Sequence, residues 1–392
     1  MKFARTQNIE AFKPLVVAAE GLLSQHYSDR ISIAKIERLT EPGRRNLLLR
    51  CFIEPVHGLP ASFMLKKVEG KYDPNNAELW DTKRFFNDWV GSQFLNTIPS
   101  KVKHSPRFYG GDRQLGMIVL EDVQHRNSLV EPLLGSNRDR AEWALFEYAS
   151  CLGHLHNDTL GLAKEYSNFY QKLSLQDKLP SISLNIPKYK STLENLGIQV
   201  ENDYLQDLEV INQASNNRDR FFAYIHTDAC PDNVLDTGSE LRPIDFETGC
   251  FGYIFFDLVF ARMMFPSCWC SKRIPDTVVR QMEATYRAIL LQNCPAIEDD
   301  RLFNRGIVSA CGKWLLDTLM SVEFVLERDR DFGISTIRQR ILARLSAFIA
   351  TSQDFDLVPG LRSTSSRLLD LLGQRWSDVS DLPLYPAFER KF

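Results

Sequence analysis

Apolar residues recur at helical spacing between Glu10 and His26, at Phe12, Leu15, Val16, Ala19, Leu22 and Leu23, which predicts an amphipathic helix. The period then shortens to two. Ile31 to Leu39 alternates, the turn Glu41-Pro42-Gly43 follows, and Asn46 to Ile53 is a second strand pattern. The loop His57-Gly58-Leu59-Pro60 ends it, and Ala61 to Val68 predicts a third strand. Asn76 to Leu95 returns to helical spacing, and Met117 to Leu120 reads as a short buried strand.

Beyond about residue 125 helical periodicity dominates. It is cleanest from Arg140 to His156, where Ala144, Leu145, Tyr148, Ala149, Leu152 and Leu155 share a face. A strand-like island interrupts it at Phe221 to Ile225, Asn233 to Leu235 and Arg242 to Phe246, and residues 273 to 350 are helical again. The order predicts a β-rich first part, residues 1–122, and an α-rich second part, residues 123–392, that carries a small hairpin. There is no internal repeat.

Composition narrows the classes. The 392 residues are 44% hydrophobic and 25% charged, ample for a large core divided into domains or lobes. Forty-seven basic residues against 50 acidic ones, with no basic stripe, argue against a nucleic-acid partner. The apolar run Pro14 to Ala19 stops at Glu20, too short for a secretory segment. Tyr253 to Phe265 is broken by Asp257 and Arg262, so no membrane span is expected and cytoplasm is the expected compartment. The eight cysteines (51, 151, 230, 250, 268, 270, 294 and 311) are expected as free thiols. Cys268-Trp269-Cys270 is a CxC with no second close pair, so structural zinc is not expected.

The candidate chemistry lies in the island. His226-Thr227-Asp228 follows an apolar strand, Asn233 comes five residues after Asp228, and Pro243-Ile244-Asp245-Phe246-Glu247 follows on the partner strand. Phosphoryl transfer needs few parts: a carboxylate near the acceptor hydroxyl, oxygen ligands for magnesium and a cation on the phosphates. A tight turn can bring Asn233 beside Asp228, and an antiparallel hairpin would place the Asn233 and Asp245 regions side by side. An amide oxygen with a carboxylate suits Mg2+.

HxDxxxxN followed by IDFE resembles the aminoglycoside phosphotransferase and choline kinase-like superfamily, relatives of the protein kinases. The resemblance covers about residues 33 to 260 and implies a two-lobed α+β kinase-like fold, with a β-sheet N-lobe and a mainly helical C-lobe. It implies Asp228 as the catalytic base, Asn233 and Asp245 as magnesium ligands, His226 as a loop-holding residue, and Asp257 as a buried residue tying that loop down. Gly43 would sit in the turn over the phosphates. Lys66, favoured over Lys67 because Phe63-Met64-Leu65-Lys66 matches the family's apolar approach, would bind them. Asp88 stands where a glutamate usually pairs with that lysine, and Glu78 is the alternative. Glu121 falls in the segment whose backbone would hold the purine edge. His154 and His156 read as helix-packing residues, and Trp269 as core filler in preference to a substrate platform.

The resemblance thus implies a small-molecule kinase using Mg2+ with ATP or GTP, moving the γ-phosphoryl group to a hydroxyl. The alternative is a nucleotide-binding pseudokinase without transfer activity. Only eleven residues separate Asp245 from Asp257, short for a peptide-docking segment, so the expected partner is a small-molecule hydroxyl acceptor.

Overall fold

The computed structural model describes residues 4–123, 127–175, 184–216, 218 and 220–389. The chain divides into two compact units. The first comprises Met1–Arg126, Leu162–Leu179 and Arg242–Cys250; the second comprises Asn127–Gly161, Pro180–Leu241 and Phe251–Phe392.

The first unit is built on a six-stranded antiparallel sheet: β1 (Arg5–Gln7), β2 (Ile33–Arg38), β3 (Asn46–Ile53), β4 (Ser62–Val68), β5 (Phe108–Asp112) and β6 (Met117–Glu121). The spatial order is β1-β2-β3-β4-β6-β5. Helix α1 (Lys13–Tyr27) covers one face. Leu15, Val16, Ala19 and Leu23 of α1 join Leu47, Leu49, Cys51 and Ile53 of β3 and Phe63 and Leu65 of β4 in one buried cluster. Strand alternation follows from that choice: with Phe63 and Leu65 turned to α1, Met64 and Lys66 take the opposite face. Pro42 and Gly43 make the β2–β3 turn, where Gly43 has φ 83° and the Arg44 amide donates to the Glu41 carbonyl. A Pro followed by a residue at positive φ is the pattern of a type II turn.

Two elements differ from the sequence reading. Helix α2 runs Trp80–Leu95 and does not start at Asn76. Asp73 folds the preceding residues into a turn, accepting from the Asn75 amide, while the Thr82 hydroxyl accepts from the Asp73 amide. Strand β5 was hidden by Gly110-Gly111, which carry little strand propensity. Both glycines permit close packing. A Cβ on Gly111 would lie 2.4 Å from the Trp89 ring, and one on Gly110 would lie 2.9 Å from Leu22. The helix Ala163–Ser174 packs against α2 in the same unit.

The second unit is mainly helical, as the periodicity predicts. Its helix Arg138–Thr159 lies along Asp276–Leu290. A Cβ on Gly153 would lie 3.2 Å from Ile289, so that glycine sets the approach. Asp300–Leu319 is buried on nearly every side, and Ile337–Phe355 starts at a capping box formed by Thr336 and Gln339. A further helix, Pro359–Arg375, lies beyond the range read as helical. The strand Phe222–Ile225 delivers the chain to His226, and Val234–Asp236 leads it away. No helix among the described residues is long and apolar enough to cross a membrane.

Candidate active site

In the first unit the anticipated cation is surrounded by carboxylates. Lys66 leaves β4 on the face away from α1, and its Nζ lies 2.7 Å from Asp88 Oδ2 and 2.6 Å from Asp245 Oδ1. Asp88 is nearly inaccessible and its other oxygen accepts the Phe246 amide at 3.0 Å. The short aspartate reaches the lysine, and Glu78 is exposed two residues before α2. Lys67, on the other face, donates to the Val68 carbonyl. Burial alone would lower the Lys66 pKa, but the charges of Asp245, Asp88 and Glu247 outweigh it and hold the ammonium well above its ordinary value. Asp88 moves up as well, because burial and the neighbouring negative charges of Asp245 and Glu247 oppose its ionisation more than Lys66 favours it.

Asp245 has φ 68°, in the left-handed region that an aspartate enters at a cost. The strand Leu241–Pro243 ends before it, so Asp245 lies beyond the strand that the sequence pattern ran to Phe246. Two residues on, the buried Glu247 carboxylate binds the guanidinium groups of Arg45 and Arg84 and accepts Asn46 Nδ2 at 3.2 Å. Asn87 donates to the Glu247 carbonyl at 3.2 Å. Arg45, Asn46, Lys66, Arg84, Asp88 and Glu247 line one small cleft. Glu247 ends the Ile244-Asp245-Phe246-Glu247 motif, but nothing local in the sequence marks its partners. Arg45 and Arg84 carried no signal, since isolated arginines on a turn and a helix look solvated. Gly43 is exposed at its turn. The Glu121 amide donates to the Arg107 carbonyl, and its carboxylate binds Arg242 Nη1 at 2.9 Å.

In the second unit the loop after His226 is held from beneath. Asp257, fully buried, accepts the His226 amide at 2.6 Å on Oδ2 and the Thr227 amide at 2.9 Å on Oδ1. His156 Nε2 lies 3.2 Å from the same carboxylate, and His156 Nδ1 lies 2.7 Å from the Tyr286 hydroxyl. Burial would raise the Asp257 pKa, yet the hydrogen bond and charge of His156, with His226 and its amide, bring it below the ordinary aspartate value. His156, read from sequence as packing, thus joins a buried polar column. Thr227 has φ 61°, a costly conformation for a β-branched residue. The two amide contacts to Asp257 hold it there and point the chain toward Asp228.

Asp228 is followed by a tight turn. The Cys230 amide donates to the Asp228 carbonyl at 2.7 Å, and Tyr148 fixes the Ala229 carbonyl at 2.8 Å. Asn233 Nδ2 donates to the Asp228 carbonyl at 3.0 Å and lies 3.4 Å from its Oδ2. The Ser267 hydroxyl donates to Asp228 Oδ1. Two expectations are corrected nearby. Cys230 and Cys268 form a disulfide, so the eight cysteines are not all free; the fold brings two residues 38 apart to a Cα separation of 5.5 Å, which spacing could not show. Trp269 is 40% exposed and donates to Asp232 at 2.7 Å, so it is not core filler.

The structure therefore brings Lys66, Asp88 and Asp245 together in one unit, and His226, Asp228, Asn233 and Asp257 together in the other. The donors fit a hard cation such as Mg2+ by chemistry. Asp245 offers a carboxylate, and Asn233, with its nitrogen turned to Asp228, keeps its amide oxygen as an acceptor.

No family model matches the chain, and no curated protein matches it either. Solved structures do. The chain is similar to a choline/ethanolamine kinase family protein from Mesorhizobium loti, at 15% identity over 90% of this chain and 98% of that one, with a TM-score of 0.48. It is similar to choline kinase from Cryptosporidium parvum, at 12% identity over 91% and 98%, with a TM-score of 0.49. A third likeness is to macrolide 2′-phosphotransferase MphH from Brachybacterium faecium, at 11% identity over 85% and 97%, with a TM-score of 0.42.

Proposed function

We propose that the protein is a small-molecule kinase that moves the γ-phosphoryl group of ATP or GTP to a hydroxyl. The observation that carries this reading is the Lys66 ammonium set between Asp88 and Asp245. A lysine held charged and fixed in place by a buried carboxylate is a ready-made partner for phosphate oxygens. Asp245 is its exchangeable partner, being the more exposed of the two carboxylates.

In this reading Lys66 neutralises phosphate charge and Asp88 keeps it oriented. Asn233 and Asp245 would hold Mg2+, which when bound supplies further neutralisation of the phosphates. Asp228 accepts the proton of the acceptor hydroxyl or orients it for in-line attack. Asp257, His156 and Tyr286 touch no reacting atom; they fix the loop on which Asp228 stands. Positioning and charge neutralisation supply most of the rate in such a reaction. Gly43 belongs to the turn over the phosphates and Glu121 to the segment offering backbone to the purine. The acceptor is a small molecule, with amino alcohols, sugars and aminoglycoside-like compounds as the classes to screen.

The test is nucleotide turnover, read as ADP or GDP release across those acceptor classes, in the wild type and in Asp228→Asn. The variant should lose turnover by about 10²–10⁴-fold, the usual worth of a positioned acid or base, while retaining nucleotide binding. Near wild-type turnover in the variant would remove Asp228 from the role.

A further inference from the structure

The second unit contains a contact that the proposed reaction does not use. The segment after Phe265 is laid against the loop of Asp228 and fastened to it three times. Ser267 donates to Asp228 Oδ1, Cys268 is bonded to Cys230, and Trp269 donates to Asp232. The segment is itself anchored from behind. The buried Arg344 donates to the carbonyls of Met263 at 3.0 Å and Pro266 at 3.1 Å. Met264 and Phe265 sit at φ 57° and 49°, unusual for such side chains, so the chain is bent there to deliver Ser267.

The Asp228 carboxylate is consequently occupied on one oxygen by Ser267, with Asn233 near the other. An acceptor hydroxyl has to donate to this same carboxylate. Ser267 offers the same chemical group, an alcohol O–H, on an exposed residue. We propose that Ser267 occupies the acceptor's place on Asp228, and that the Cys230–Cys268 bond locks it there, so that reduction of this bond opens the carboxylate to an acceptor. This inference rests on Asp228 being the acceptor-facing carboxylate.

The redox step balances simply. A dithiol reductant gives two electrons and two protons to the S–S bond, yielding the Cys230 and Cys268 thiols, and is itself oxidised to its disulfide. Cys230 Sγ lies 3.2 Å from Asp228 Oδ1, so the released thiol replaces the serine hydroxyl with a weaker donor that an acceptor displaces more easily. Three of the other cysteines do not compete in the exchange. Burial pushes the thiols of Cys51, Cys270 and Cys311 up to about 12, which keeps them protonated and unreactive near neutral pH.

The experiment uses the full chain purified without reductant. Thiols are counted in denatured, quenched samples taken before and after treatment of the folded protein with a small dithiol, and Mg-ATP and Mg-GTP hydrolysis, with water as acceptor, is followed in parallel. Reduction should expose two further thiols and raise hydrolysis roughly tenfold, the scale of one charge-assisted hydrogen bond released. Ser267→Ala should be raised to a similar degree without reductant, and Cys268→Ser should no longer respond to it. A gain of two thiols with no change in rate would overturn the lock, as would a slower Ser267→Ala. Stoichiometric Zn2+ retained by the reduced protein would also overturn it, since Cys230, Asp232 and Cys268 lie close enough to share a metal. Should no form bind or hydrolyse either Mg-ATP or Mg-GTP, the phosphotransfer reading fails. Hydrogen exchange at residues 227–234 then still decides the lock, which requires faster exchange after reduction.

Discussion

In the first unit Lys66 is held by two side-chain carboxylates, and the Glu247 carboxylate by two guanidinium groups and a side-chain amide; these contacts join side chains that can re-pair, while the Phe246 backbone amide anchors Asp88. In the second, Asp257 spends both oxygens on backbone amides and is backed by His156 and Tyr286. Both clusters bury carboxylates, but only the first can exchange partners without moving the chain. A cluster that receives a polyanion needs that freedom, because arriving phosphates must take over a cation from its resting partners. A loop that presents one carboxylate needs the opposite, a fixed backbone.

The sharpest break of this contrast is Asp257→Ala. It leaves the buried His226 amide, the half-buried Thr227 amide and His156 without their acceptor, which should cost about 3–5 kcal/mol in the second unit, measured by denaturant unfolding. Lys66→Met should cost less, about 1–3 kcal/mol, because Asp245 is partly solvated and Asp88 takes up a proton instead. Its effect on Mg-nucleotide binding should be far larger than its effect on stability. A Lys66→Met loss of stability equal to that of Asp257→Ala would erase the distinction between the two clusters.

Acid pH sharpens the comparison further. The folded pKa of Asp257 is depressed, so its contribution is present above the unfolded value of about 4 and is lost as pH falls through the folded pKa. Asp88 is shifted up, so the folded first unit gains relative stability on taking up that proton. Hydrogen exchange over falling pH should therefore open the loop 226–233 before the strand carrying Lys66. The smallest expected effect is Thr227→Gly, which removes a β-branched residue from positive φ and should gain or cost no more than about 1 kcal/mol in denaturant unfolding.

Much of this was legible in the sequence where period and motif coincide. Strand alternation put Lys66 and Lys67 on opposite faces, the resemblance of Phe63-Met64-Leu65-Lys66 favoured Lys66, and the HxDxxxxN spacing allowed a tight turn to bring Asn233 beside Asp228. What escaped was whatever depends on packing at long range. Strand β5 was concealed because its two glycines serve Trp89 and Leu22, not strand propensity. The Cys230–Cys268 bond and the Ser267 contact join segments almost forty residues apart, and nothing local marks them. Arg45 and Arg84 take meaning only from Glu247, which no periodicity connects to them. Asp88 reaches Lys66 despite its short side chain, a contact that no residue type encodes.

The most direct measurement of the central claim is calorimetric binding of Mg-ATP and Mg-GTP to the wild type and to Asp245→Ala. The account predicts magnesium-dependent binding of at least one nucleotide, in the micromolar to millimolar range, that disappears in the variant. Folded wild-type protein that binds neither nucleotide would contradict it.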